Sequence, residues 1–163
     1  MAQAERIKLN VTPLTPETFR PFGQVIGATE DGKQFDSTDA QLVLDKGTPR
    51  FYIMRIPRRG LSFDNITFHQ DVTQCLGAVT HKPWYMAVAA PGVSPYPSEA
   101  DISVFRVPPT VFLKLECGTW HAGPLFADSE FMDFYNLELA DTNIVDHHTH
   151  RYAEDCISFE IGE

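Results

Sequence analysis

An all-β chain is what this sequence predicts, and three observations predict it. Twelve prolines and ten glycines are spread through 163 residues, and a proline removes an amide donor and clashes inside a helix. Short runs of β-branched and aromatic residues recur between Gly, Pro, Asp and Asn. Some ten such runs with turn signals between them describe an antiparallel sandwich or barrel, read as one domain over residues 1–163.

In chain order, Thr15-Pro16-Glu17-Thr18-Phe19-Arg20 predicts one short N-terminal helix. Thr15 serves as N-cap, Pro16 takes the first helical position and Glu17 faces the positive end of the dipole. Pro21 and Gly23 end it. Strands are predicted at Gln24–Ala28, Leu42–Leu44, Phe51–Ile56, Phe63–His69, Cys75–Val79, Trp84–Ala90, Ile102–Val107, Val111–Leu115, Phe131–Leu139 and Cys156–Ile161. Residues 138–155 are too polar to assign, apart from room for a short helical turn near Ala153.

Composition narrows the function classes. Asp and Glu number 22 against 13 Lys and Arg, a formal charge of −9. That balance disfavours nucleic-acid binding, which needs clustered cations against phosphate. The one short basic cluster, Arg55, Arg58 and Arg59, reads as a solvated loop. No run approaches the roughly 20 apolar residues of a membrane span, and Met-Ala-Gln-Ala-Glu-Arg lacks the apolar stretch of a secretory signal. Cys75, Cys117 and Cys156 show no metal-knuckle spacing and suggest reduced thiols in a cytosol-like compartment. A cytoplasmic location is the expectation.

Alternation along strands sorts side chains by face. Val111, Leu113 and Leu115 share one face, with Phe112, Lys114 and Glu116 on the other. Asn65, Thr67, His69 and Asp71 share a face opposite Ile66 and Phe68. Such polar faces either meet solvent or line a barrel interior, and both readings stay open. The segment Cys117-Gly118-Thr119-Trp120-His121-Ala122-Gly123-Pro124-Leu125 is more informative. Gly118 permits a tight turn, Trp120 is a natural core anchor, and His121 follows in an irregular, rigid stretch suited to acid–base work. The competing reading is a histidine satisfied by backbone carbonyls.

Three segments resemble the ureidoglycolate lyase (ureidoglycolate hydrolase) family of the cupin superfamily. They are Pro13-Leu14-Thr15-Pro16-Glu17-Thr18-Phe19-Arg20-Pro21-Phe22-Gly23-Gln24-Val25-Ile26, His69 with Gln74 five residues later, and Gly118-Thr119-Trp120-His121 with Pro124-Leu125. The chain departs from the family at Ala122 and at Tyr52, where the family tends to carry histidines. The resemblance implies a cupin-like antiparallel barrel or jelly roll and a homodimer. Its reaction splits ureidoglycolate into glyoxylate and urea, a step of allantoin degradation.

On that reading His69 and His121 form an acid–base pair at the barrel mouth and Gln74 orients the substrate. Lys114 neutralises the carboxylate, Glu116 tunes Lys114 or a histidine, and Trp120 borders the substrate. Because 74 − 69 is odd, His69 and Gln74 converge only through a turn or bulge near Asp71–Thr73. No cofactor is required. A metal remains an alternative, with His69, Asp71 and His121 as a two-histidine, one-carboxylate set and Gln74 or Glu116 as a weaker fourth ligand. Asp146-His147-His148-Thr149-His150 invites a metal reading too, against a solvent-facing polar loop. Two rival functions stay open: a metal-dependent cupin enzyme on another small carboxylate, and a non-catalytic barrel that binds a small acid.

Overall fold

Strand pairing organises the computed structural model, which describes residues 3–162. Those residues are 46% strand and 9% helix, so the chain is all-β. The strands are β1 (Glu5–Thr12), β2 (Gly23–Ile26), β3 (Pro49–Pro57), β4 (Ser62–Phe63), β5 (Asn65–Phe68), β6 (Gln74–Ala78) and β7 (Trp84–Ala89). They continue with β8 (Ser103–Val107), β9 (Phe112–Leu115), β10 (Trp120–Leu125), β11 (Phe131–Leu139), β12 (His148–Arg151) and β13 (Ile157–Gly162). The helices are α1 (Pro16–Phe19) and α2 (Thr142–Val145), with 3₁₀ turns at Glu99–Asp101 and Tyr152–Asp155.

One sheet has eight strands in the order β12-β5-β10-β7-β8-β1-β13-β4, the other five in the order β2-β9-β6-β11-β3. Both curl, and together they form a half-barrel. The central strand β7, Trp-Tyr-Met-Ala-Val-Ala, is buried at every position. Its alternate residues feed two cores. Trp84, Met86 and Val88 pack with Leu76, Leu113 and Phe134, which come from the five-stranded sheet. Tyr85, Ala87 and Ala89 pack with Leu9, Phe159 and Ile161, where β1 and β13 curl around. A strand covered on both faces reads as a continuous apolar run, which is why its sequence shows no alternation.

Helix α1 has the expected cap. The Thr18 backbone N–H donates to Thr15 Oγ1 at 3.1 Å, and the Thr15 N–H donates back to Thr18 Oγ1 at 2.9 Å. Its single turn drives Phe19 to 0% exposure against Phe22 and Phe105.

Several local expectations are corrected. Leu42–Leu44 is not a strand. It belongs to an irregular segment and bonds only at one residue: the Val43 N–H donates to Thr73 Oγ1, and the Thr73 N–H to Val43 O. Two bonds at one residue make no ladder. Phe63–His69 breaks at Asp64, because Phe63 pairs with Phe159 while Thr67 pairs with His121 and Thr149. The segment from Trp120 to Leu125 is strand rather than irregular chain, with a register shift between Ala122 and Leu125. The sheets are not wholly antiparallel either, since β1 runs parallel to both β13 and β8. No helix among the described residues is long and apolar enough to cross a membrane.

Candidate functional site

Between the sheets, beside the apolar core, lies a cavity of about 550 Å³. One wall comes from β5, β10 and β12, and carries Thr67, His69, His121 and Thr149. The facing wall comes from β3, β6 and β11, and carries Tyr52, Gln74, Asn136 and Glu138. Polar faces on both sheets therefore turn inward at this end, as the barrel-lining alternative required.

His69 follows the last residue of β5, where the chain crosses from one sheet to the other. Its Nδ1 lies 2.7 Å from Asp146 O, and its own carbonyl accepts the Gly118 N–H at 2.6 Å. Gly118 adopts φ 84°, a left-handed conformation that favours glycine, so the β9–β10 turn can press against the histidine backbone. His121, on β10 opposite Thr67 and Val88, has Nδ1 3.3 Å from Thr119 O. The ring centroids of His69 and His121 are 5.0 Å apart.

Burial holds both rings below the ordinary imidazole pKa of 6.5. For His121 burial is the main cause, the neighbouring His69 adds to it, and the value falls to about 3. His69 is lowered by burial first, partly offset by its bond to Asp146 O and by the Glu138 charge. Both rings are therefore neutral at pH 7. A carbonyl oxygen only accepts, so each Nδ1 carries the proton and each Nε2 keeps its lone pair.

The facing wall is a hydrogen-bonded chain. The Gln74 amide N–H donates to Asn136 Oδ1 (2.9 Å), the Asn136 amide N–H to the Tyr52 hydroxyl (3.2 Å), and that hydroxyl to Glu138 Oε1 (3.3 Å). Gln74 reaches the cavity beside His69 because the two sit on different sheets. The crossing at residues 69–73, not a bulge in one strand, resolves their parity.

Other sequence candidates lie elsewhere. Lys114 is not a cavity residue. It is 1% exposed on the opposite face of β9, in register with Gln24 and Cys75 and ion-paired with Glu116. Its face is covered by the irregular segment, to which Gln24 donates at Ser37 O and Asp39 O. Glu116 borders a small crevice behind the histidines, with Gln74 and Thr119. Trp120 points into the other core, edge-on to Phe68, and its indole N–H donates to Val93 O at 3.2 Å. It anchors β10 rather than bordering the cavity.

The alternative metal set, His69, Asp71 and His121, is not brought together among the described residues. Asp71 is exposed and paired with Lys46 at 2.8 Å. Its backbone N–H donates to Asp146 Oδ2. Among the described residues no group of three or more His, Cys, Asp and Glu is arranged to hold a metal ion. The His147–His150 cluster disperses. His147 lines the cavity with its ring 5.6 Å from His69, His148 stacks on Phe68, and His150 stacks on Tyr96 at 3.5 Å. From His148 onward its backbone is strand, with β12 paired to β5, while Asp146 and His147 lie in the connection before it. All three cysteines are free thiols, and burial pushes Cys75 up to about 11.

Sequence reasoning gave Asn136, Glu138, Arg59 and Arg151 no place at this site, and read Asp146 only as part of a metal cluster. The first two share parity with Met132 and Phe134 on β11, all four buried. Arg59 and Arg151 line the cavity from exposed positions, and neither forms an ion pair among the described residues. Asp146 is 6% exposed and accepts the Gln70 and Asp71 N–H groups, tying the crossing to the carbonyl that holds His69. No protein-family model matches the chain, and no curated protein matches it.

Proposed function

We propose that this protein is a lyase that cleaves ureidoglycolate, or a related small ureido hydroxy acid, to glyoxylate and urea by acid–base catalysis. The observation that carries the reading is two neutral imidazoles with centroids 5.0 Å apart in one polar cavity. The substrate carbon bears a hydroxyl, a carboxylate and a ureido nitrogen. A bare Nε2 takes the hydroxyl proton, and the oxygen electrons form the carbonyl as the C–N bond breaks. The same proton then passes to the leaving nitrogen, so glyoxylate and urea form with no net proton change. Two rings this close in a poorly screened site share one proton rather than hold two. That favours a shuttle over a separate acid and base.

The carboxylate needs a cation, and Lys114 faces away from the cavity. Arg59 and Arg151 take that role in this reading, from the cavity's exposed rim. The test is direct. Purified protein should release glyoxylate from ureidoglycolate above the spontaneous rate. His69→Asn and His121→Asn should each lower kcat by about 10²–10⁴ while leaving the folded spectrum intact. Full turnover in either variant, or none in the parent protein, would overturn the assignment; the latter leaves a binding protein for small acids.

The resemblance also implies a homodimer in the cytosol. Support for a partner copy is the outer face of β3 and β11, where Phe51, Ile53 and Phe131 are 66%, 55% and 43% exposed beside the Phe51–Tyr135 stack. β3 is also a sheet edge, with a free row of backbone groups. Ile53→Glu should halve the mass measured by light scattering. A parent protein that is already monomeric at micromolar concentration removes the dimer from the proposal.

A further inference from the structure

The cavity runs well past the histidines. The crossing at residues 69–73 joins its two walls at one end, and each two-residue step along a strand away from that end covers about 6–7 Å. On the five-stranded wall, Tyr52 and Leu76 both stand in register with Asn136, and the next inward positions of β3 are Met54 and Ile56, in register with Phe134 and Met132. Tyr52, Met54 and Ile56 all line the cavity, which therefore extends roughly 13 Å along β3. On the other wall, Thr67 is in register with His121 and Thr149, and one step further Asn65 is in register with Arg151. Phe63 and Leu125, further along β4 and β10, line it too. The polar section around the histidines thus gives way to one bordered by Met54, Ile56, Phe63 and Leu125, of which Met54 is half-buried and the others buried. Allowing each non-hydrogen atom the roughly 30 Å³ that a water molecule takes in the liquid, ureidoglycolate fills about half of the 550 Å³. Apart from one C–H it is polar throughout, so it leaves water against Met54 and Ile56.

We propose that the section bordered by Met54, Ile56, Phe63 and Leu125 is a subsite for an aliphatic substituent, and that the ligand is a small hydroxy acid carrying an alkyl chain of several carbons. Its hydroxyl lies at the histidines, its carboxylate at Arg151, one step from Thr149, and its chain runs outward along β3. A linear chain suits this section better than a ring, because the free space extends along the strand and the flexible, polarizable Met54 side chain adapts to what lies against it. The inference rests on reading the cavity as a site for a small hydroxy acid but not on cleavage, so its test measures binding alone.

The probes are glycolate, α-hydroxybutyrate, α-hydroxyhexanoate and α-hydroxyglutarate, titrated calorimetrically into the parent protein. Each methylene taken out of water strengthens binding about three- to fourfold when fully buried. α-Hydroxybutyrate should therefore bind more tightly than glycolate, and α-hydroxyhexanoate about 10–100-fold more tightly, with a more negative heat-capacity change. α-Hydroxyglutarate, which carries a second carboxylate in place of the alkyl end, should show none of this gain. Met54→Gln should bring the ratio of α-hydroxyhexanoate to glycolate affinity close to one, and Met54→Trp, which fills the section, should make α-hydroxyhexanoate the weaker ligand. Equal binding of glycolate and α-hydroxyhexanoate by the parent protein overturns the subsite and leaves the polar site standing. An equal gain for α-hydroxyglutarate overturns it as well, because length rather than apolar character would then decide, and so does a ratio that survives in both Met54 variants. Absence of binding by all four acids at millimolar concentration removes the subsite together with the small-acid reading. A chain-length gain in a protein that releases no glyoxylate instead removes the lyase reaction and keeps the subsite.

Discussion

Two ends of the same inter-sheet space behave in opposite ways, although the same strands build both. Along β11, Met132 and Phe134 point inward at 0% exposure, and two steps further Asn136 and Glu138 point inward on the same parity. β6 passes from Gln74 to Leu76 in one step of two, and β3 from Tyr52 to Met54 and Ile56. At one end inward positions hold Trp84, Phe105, Phe126 and Phe134, which interlock. At the other, hydrogen-bonding groups stand beside Met54, Ile56, Leu76 and Met86 and about 550 Å³ is left open. The backbone does not separate core from cavity. The chemical identity of a few inward side chains does.

The comparison predicts which substitutions touch stability and which touch the site. Phe134→Ala should have the largest effect. Its ring packs on Trp84 and Phe126, and truncation leaves a void in a close-packed region. A loss of about 3–5 kcal/mol is expected in urea unfolding. Asn136→Leu, one inward step along the strand, should cost less, about 1–3 kcal/mol, by leaving the Gln74 amide N–H without its acceptor and the Tyr52 hydroxyl without its donor. If the two losses are equal, the polar end is as interlocked as the apolar end and the distinction fails.

A further effect is a pH dependence. His69 and His121 are held below 6.5 in the fold, so the unfolded chain binds protons that the folded chain refuses. Their contribution to stability is full above the unfolded pKa of about 6.5. It is lost progressively as pH falls, down to about 3 for His121. Denaturation midpoints measured between pH 6.5 and 4.5 should fall for the parent protein. The fall should be shallower for His121→Asn, and equal slopes would mean that the ring is not kept neutral by burial.

Much of the strand content was legible in sequence, and the exceptions have physical causes. β1 was missed although Ile7, Leu9 and Val11 alternate with polar residues, and its partner β13 lies at the far end of the chain. β12 was missed because a polar strand lining a cavity has the composition of a loop. The face assignments from alternation hold within the strands, including Lys114 opposite Leu113 and Leu115, and fail for Asp71, which lies beyond β5 in the crossing between sheets. Alternation says which residues share a face, not what covers it. The segment over β9 buries the Lys114 face, so a polar side that looked available to substrate is closed off.

An all-β chain, the capped turn at Thr15 and the pairing of side chains by face follow from local chemistry: proline geometry, hydrogen-bond capping and the two-residue repeat of an extended backbone. Which histidines meet does not follow from any of these. His69 meets His121 through a ladder between distant strands, and Gln74 joins them because the chain changes sheets at residues 69–73. Glu138, Asn136 and Tyr52 become one wall by the same non-local pairing. Local rules act within a few residues, whereas these contacts span up to 86 positions along the chain and exist only once both sheets have closed around the space between them.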